Sequence, residues 1–241
     1  MELKICHLYP DILNLNGDNG NILSLKRRLE ARGIDCHITT LPCGASANMN
    51  EFDLFFIGGS QDFNIDALKT DLSSGKRASI CQAVENGKTF LAVGGGFIAM
   101  CRSFTDKDNT EHSFIGAIDA HTVDKAQRLT GNSMFSINEV GLVVGYEHHS
   151  GHTYLSDGCS ALGTVISGYG NNGEDKSNGA RHKNVFATYT HGPILPKNPA
   201  FADLILRTAL EIKYGTVELS PLEDKYENTA HNYMVERLSA K

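Results

Sequence analysis

Thr89-Phe90-Leu91-Ala92-Val93-Gly94-Gly95-Gly96-Phe97-Ile98-Ala99-Met100 constrains the fold of this chain more than any other segment. Its first five residues form an apolar run without alternation, the pattern of a strand buried on both faces of a parallel sheet. The glycines then permit a tight turn, and Phe97 to Met100 resume as a helix. A strand-turn-helix of this kind holds its tip residue out at the carboxyl end of a sheet, where a nucleophile can be presented. The residue at the tip is Gly94, which has no side chain.

The preceding sequence repeats the same alternation of strand and helix. Leu3 to Leu8 is a short apolar strand, and Asn21 to Gly33 carries Ile22, Leu25 and Leu29 at helical spacing with Gly33 as the stop. Ile34 to Leu41 reads as a second strand, and Asp53 to Ile57 as a third that ends at Gly58-Gly59. A helix over Ser73 to Glu85 leads to the Phe90 to Val93 strand. This order predicts an α/β fold whose central sheet is largely parallel and covered on both faces. From Phe114 to Thr190 the pattern changes to short strands, Phe114 to Ile118, Gly141 to Tyr146, Thr164 to Ser167 and Val185 to Tyr189, a more antiparallel half without a linker. Pro199 to Tyr214 is an amphipathic helix. Residues 1–215 read as one domain, and 216–241 as a charged tail with some helical spacing, open to packing on a partner or to fraying.

A net charge of −6 argues against a nucleic-acid binder. No apolar run approaches the roughly 18 residues of a membrane-spanning helix, and Met1 to Ile5 lacks the start of a signal peptide, so a cytoplasmic location is expected. The six cysteines include no C-x-x-C pair and read as reduced, mostly buried thiols; their spacing does not suit a structural zinc site, despite ten histidines.

Glycine turns at the ends of parallel strands put backbone N–H groups where a ligand can lie, and two occur here, Gly58-Gly59-Ser60-Gln61-Asp62 and Gly94-Gly95-Gly96. They are accompanied by Asn14 to Ile22, Arg128-Leu129-Thr130-Gly131, Gly145 to Gly151, Gly168 to Asn172 and His191 to Asn198. Together these segments resemble the class I glutamine amidotransferases of the cobyric-acid-synthase-like branch and, within it, the glutaminase subunits of lipid II isoglutaminyl synthases. The resemblance runs from about Ile5 to about Tyr214. It implies a three-layer class I amidotransferase domain that hydrolyses L-glutamine through a cysteine thiolate. It also implies delivery of ammonia to a Mur-ligase-like partner that amidates the peptidoglycan stem peptide, without a metal or other cofactor.

Carried over residue by residue, the resemblance makes His191 the catalytic base. Asp18 becomes the acid that orients it, or the cap of the following helix. Arg128 becomes the two-pronged clamp for the glutamine α-carboxylate, and Gly59 and Gly95 the donors of the oxyanion hole. The chain departs from the family at the nucleophile, where Gly94 replaces cysteine. Ile98 stands for glutamine, His148 for asparagine and His152 for arginine. Cys101, seven residues beyond Gly94, would lie about two turns down the helix, roughly 10 Å away, and is a poor substitute. Three explanations remain open: an engineered change at position 94, which would not account for Ile98; a natural homologue that has lost glutamine hydrolysis and acts as a glutamine-binding or scaffold subunit or uses free ammonia through its ligase; and altered chemistry or an unrecognised nucleophile. A glutaminase of another cofactor-amidating pathway is the alternative within the family.

Overall fold

The computed structural model describes residues 1–14, 17–59 and 65–240. The chain begins with β1 (Glu2–Leu8), α1 (Asn19–Glu30), β2 (Asp35–Leu41) and β3 (Leu54–Ile57). Next come α2 (Ile65–Asp71) and α3 (Arg77–Glu85), separated by a wide turn at Leu72–Lys76 in which Gly75 takes φ 100°. The helix expected from Ser73 is therefore broken at its start, because only glycine accepts that backbone readily. Then β4 (Thr89–Val93) runs into α4 (Gly95–Met100).

The second half contains β5 (Cys101–Thr105), β6 (Glu111–Ser113), β7 (Ile118–Ile137), β8 (Gly141–Leu155), β9 (Gly163–Ser167), β10 (Ser177–Asn178), β11 (Ala180–His182) and β12 (Val185–Thr188). It closes with α5 (Pro199–Tyr214) and α6 (Lys225–Ser239). Among the described residues no helix is long and apolar enough to cross a membrane.

The central sheet has the order β11-β12-β4-β3-β1-β2, and every neighbouring pair except β11 with β12 is parallel. Alternation within each strand feeds two cores. Leu54 and Phe56 of β3 join Leu25, Leu29, Phe201 and Ile205 of α1 and α5, whereas Phe55 and Ile57 face Ile80, Val84 and Phe97 of α3 and α4. Helix, sheet and helix thus form the expected three layers.

A second sheet, β10-β9-β7-β5-β6 with β8 on β7, is mostly antiparallel. Its ribbon of β7 and β8 is far longer than the short strands that the sequence suggests. The ribbon's register breaks between Asp124 and Leu129, so residues 125–128 bulge out of the pairing.

The C-terminal segment packs on its own chain. Arg28 pairs with both Asp203 and Asp224, and Arg32 with Asp203 and the Ser220 carbonyl. From α6, Leu238, Met234 and Val235 cover Met134 and Val144 of the ribbon.

Candidate active site

Three adjacent parallel strands end at one edge. Ile57 pairs with Ala92, and Thr188 with Val93, so Gly58-Gly59 after β3, Gly94 after β4 and Tyr189-Thr190-His191 after β12 emerge side by side. The long ribbon is tied to this edge by a short bridge between Tyr146 and His191, whose N–H groups donate to each other's carbonyls at 3.2 and 2.8 Å. A cavity of about 620 Å³ opens there, lined by all six expected residues: Asp18, Gly59, Gly94, Gly95, Arg128 and His191. The segments Leu15-Asn16 and Ser60 to Asn64, which belong to two of the quoted motifs, lie outside the described residues.

Gly94 occupies the tip of the turn, with φ 56° and ψ −115° immediately before α4. Its N–H donates to the Thr188 carbonyl at 2.9 Å, and the Gly96 N–H donates to Gly58 at 2.9 Å. Among the described residues a Cβ built at Gly94 would meet only the Gly59 Cα, at 3.3 Å.

No cysteine lines this cavity. Cys101 is not on the helix as expected: α4 stops at Met100, and Cys101 opens β5, fully buried, with its thiol donating to the Phe97 carbonyl at 3.2 Å. Burial pushes the thiols of Cys101 and Cys6 up to about 12 and those of Cys36 and Cys159 to about 11, and it raises Cys43 and Cys81 as well. A reactive cysteine requires the opposite shift.

The acid and base are arranged differently from the expected pair. Asp18 is completely buried and immediately precedes α1, but its side chain does not cap that helix; Oδ2 accepts the Gly59 N–H at 2.6 Å. The Gly59 amide is therefore engaged rather than free to polarise a carbonyl. Burial lifts the Asp18 carboxyl to about 6, with the Gly59 hydrogen bond opposing the shift.

Neither ring nitrogen of His191 has a hydrogen-bond partner among the described residues, so Asp18 does not hold the imidazole. Burial, followed by the neighbouring charges of His148 and Lys197, lowers His191 to about 4. The imidazole is neutral near pH 7 and able to accept a proton.

On the ribbon, an Arg128 N–H donates to His148 Nε2 at 3.2 Å, and Thr130 Oγ1 lies 3.1 Å from His148 Nδ1. An arginine only donates, so Nε2 must carry the lone pair and Nδ1 the hydrogen. Ile98 presents an apolar wall to the same cavity. His152 is buried away from it, 3.4 Å from the Gln127 carbonyl.

Sequence reasoning did not single out several residues of the cavity wall. His149 stacks on Tyr189 with ring centres 3.8 Å apart, and its Nδ1 donates to the Gly151 carbonyl at 2.6 Å. Burial lowers it to about 4, so it too is neutral. Tyr146 meets the His191 ring edge-on, at 5.8 Å, and Asp124 closes the wall beside the bulge. His149 and Tyr146 sit within a quoted motif, whereas nothing in the sequence around Asp124 marks it.

The segment from Gly168 to Asn172 instead builds the scaffold. The buried Glu147 carboxylate accepts the N–H groups of Tyr169 and Gly170, and Asn171 ties this loop to Gly179 at both ends of its amide. Among the described residues no cluster of three or more His, Cys, Asp or Glu side chains is placed to hold a metal.

A glycine turn after one parallel strand, a histidine after its neighbour and an arginine on an antiparallel ribbon thus meet in one cavity. Residues 4–199 match the CobB/CobQ-like glutamine amidotransferase domain, and the chain belongs to that family. It is 37% identical over 236 residues to the GatD subunit of lipid II isoglutaminyl synthase (glutamine-hydrolyzing) from Staphylococcus aureus, covering 98% of this chain and 96% of the relative. To the subunit of the same name from Streptococcus pneumoniae it is 34% identical, over 92% of this chain and 86% of that one. Among solved structures, PurLQS from Thermotoga maritima superposes with a TM-score of 0.55 at 15% identity, covering 99% and 100% of the two chains, a likeness of fold.

Proposed function

We propose that this chain is a glutaminase-type subunit of a lipid II isoglutaminyl synthase, that it binds L-glutamine in the cavity, and that it hydrolyses glutamine poorly or not at all. It acts in the cytoplasm, in peptidoglycan synthesis. The similarity to both GatD subunits over nearly their full lengths supports the pathway. One observation carries the loss of turnover: the tip of the turn is Gly94, and every cysteine stands outside the cavity with its thiol shifted upward. Without a thiolate no glutamyl thioester forms. The neutral His191 can then act only on water, and the Gly95 N–H is the remaining donor near the turn.

The chain carries no G-x-x-x-x-G-K-[ST] loop for ATP. Activation of a carboxylate therefore falls to a Mur-ligase-like partner, which takes its ammonia from solution or from another source. Ammonia release from glutamine, measured with and without that partner, tests the loss of turnover. A rate abolished both by thiol alkylation and by His191→Ala would refute it. Co-expression tests the partner: separation of the two proteins on a sizing column at micromolar concentration counts against it.

A further inference from the structure

Two opposite charges stand at the wall of the cavity, Asp124 just before the β7 bulge and Arg128 at its end, and neither is neutralised by an ion pair among the described residues. Among the described residues the Arg128 side chain hydrogen-bonds only to His148. Asp124 makes no side-chain hydrogen bond or ion pair among the described residues, and its neighbour Lys125 is directed to Tyr154 and Glu174.

Alternation along β7 puts Asp124 on the face of Ala120 and Thr122, the buried face of the strand. Thr122 continues this face through Thr153 to the Tyr189 hydroxyl, with oxygen separations of 2.7 and 2.6 Å. Asp124 and Tyr189 line the same cavity. Opposite Asp124 in the ladder is Gly151, where a Cβ would lie 2.8 Å from Thr122 Cγ2 and 3.0 Å from the Tyr189 hydroxyl, so a glycine lets these groups close in on the strand.

The other acids of the wall are differently placed. Asp18 is held by Gly59. Asp106 accepts the Thr110 and Asp108 N–H groups through one oxygen and meets His112 at 2.7 Å through the other. Asp108 lies on the exposed turn beyond β5.

From this geometry we infer that Asp124 is a specificity-determining residue that receives the α-ammonium group of the ligand while Arg128 receives its α-carboxylate. A ligand complementary to both carries a cation and an anion, as an α-amino acid does, and the site discriminates against carboxylates that lack the amine. This assignment rests on the glutamine-binding reading above and adds the residue that reads the amino group. No bond is made or broken; the selectivity comes from one charge-assisted hydrogen bond and from leaving Asp124 unpaired when the amine is missing.

Isothermal titration of the unaltered protein with L-glutamine and with glutaramate, which is glutamine without its α-amino group, tests the inference. Glutamine is expected to bind at least tenfold more tightly. Asp124→Asn should weaken glutamine about tenfold and leave glutaramate unchanged, with thermal melts confirming that the variant folds. Equal affinity of the unaltered protein for the two ligands overturns the role of Asp124 while leaving glutamine binding intact, and this comparison requires no variant. Loss with Asp108→Asn in place of Asp124→Asn overturns it likewise. Heat from neither ligand removes the glutamine-binding reading and this inference together.

Discussion

The parallel-sheet edge and the antiparallel ribbon contribute to one cavity in different ways. The edge supplies mainly backbone: Gly59, Gly94 and Gly95 come from turns whose shape is fixed by strand register and by hydrogen bonds such as Gly94 N–H to Thr188 and Gly96 N–H to Gly58. The ribbon supplies side chains, with Arg128, Asp124, His148 and His149 on two paired strands. A turn can keep its geometry after losing the side chain it presents, whereas a ribbon that loses its side chains loses the polar groups it offers to the cavity. On the proposed function, bond cleavage and ligand recognition would therefore rest on separable elements, and position 94 could change without altering the cavity wall on the ribbon.

The largest effect that would sharpen this contrast is on turnover. Gly94→Cys with Ile98→Gln should raise ammonia release from glutamine by at least about a thousandfold over the unaltered chain, the scale of about 4 kcal/mol in the barrier. Gly94→Cys alone should recover less, because Ile98 cannot hydrogen-bond the substrate. Affinity for glutamine in the single variant should stay within a few-fold of the unaltered protein. A steady-state ammonia assay beside calorimetry reads both, and tight coupling of the two would break the separation.

A second test falls on the ribbon's support. Burial, opposed by hydrogen bonds from Tyr169 and Gly170, raises Glu147 from an ordinary 4.5 to about 7. Between those values the folded protein retains a proton that the unfolded chain has released. Stability is therefore lost as pH rises from about 4.5 to 7 and changes no further above that through this group. Glu147→Gln removes the titration. Its stability relative to the unaltered protein should rise across that window by up to about 3 kcal/mol, read from denaturant melts at pH 4.5 and 7.5. The lowered histidines act in the opposite direction, but they are common to both proteins and cancel in the difference. A flat difference would show that Glu147 is not held protonated.

The edge has its own packing test. A Cβ at Gly96 would be driven into the Ile57 carbonyl oxygen and would lie 2.9 Å from that of Gly58. Gly96→Ala should cost about 2–3 kcal/mol, against less than about 0.5 kcal/mol for Gly131→Ala, whose Cβ meets nothing within 4 Å.

The same contrast governs what could be read from the sequence. The parallel half was legible because both faces of each strand are buried, so Leu54-Phe55-Phe56-Ile57 and Phe90-Leu91-Ala92-Val93 stand out as apolar runs that end in glycine. The ribbon was not: between Val123 and Asn132, Asp124, Lys125, Gln127, Arg128 and Thr130 break any apolar run, and what makes it a strand is pairing with β8 rather than any local pattern. Asp124 shares that obscurity, since its significance comes from facing Gly151 and the cavity. Cys101 was misplaced because nothing local marks where α4 gives way to β5. The engagement of Asp18 with Gly59 joins residues 41 positions apart, which periodicity cannot report.

The smallest effect is the most direct measure of what the glycine does for the turn. At φ 56° and ψ −115° a residue with a Cβ is strained, and the added atom would also press on the Gly59 Cα at 3.3 Å. Gly94→Cys should therefore lower stability by about 1–2 kcal/mol even as it supplies a nucleophile. Gly94→Ala should cost nearly the same without any gain in ammonia release, which separates the backbone term from the thiol. If both variants melt at the temperature of the unaltered protein, the turn has relaxed to accept a side chain. The edge would then be more adaptable than its glycines imply, and the strain would not be a property of the turn.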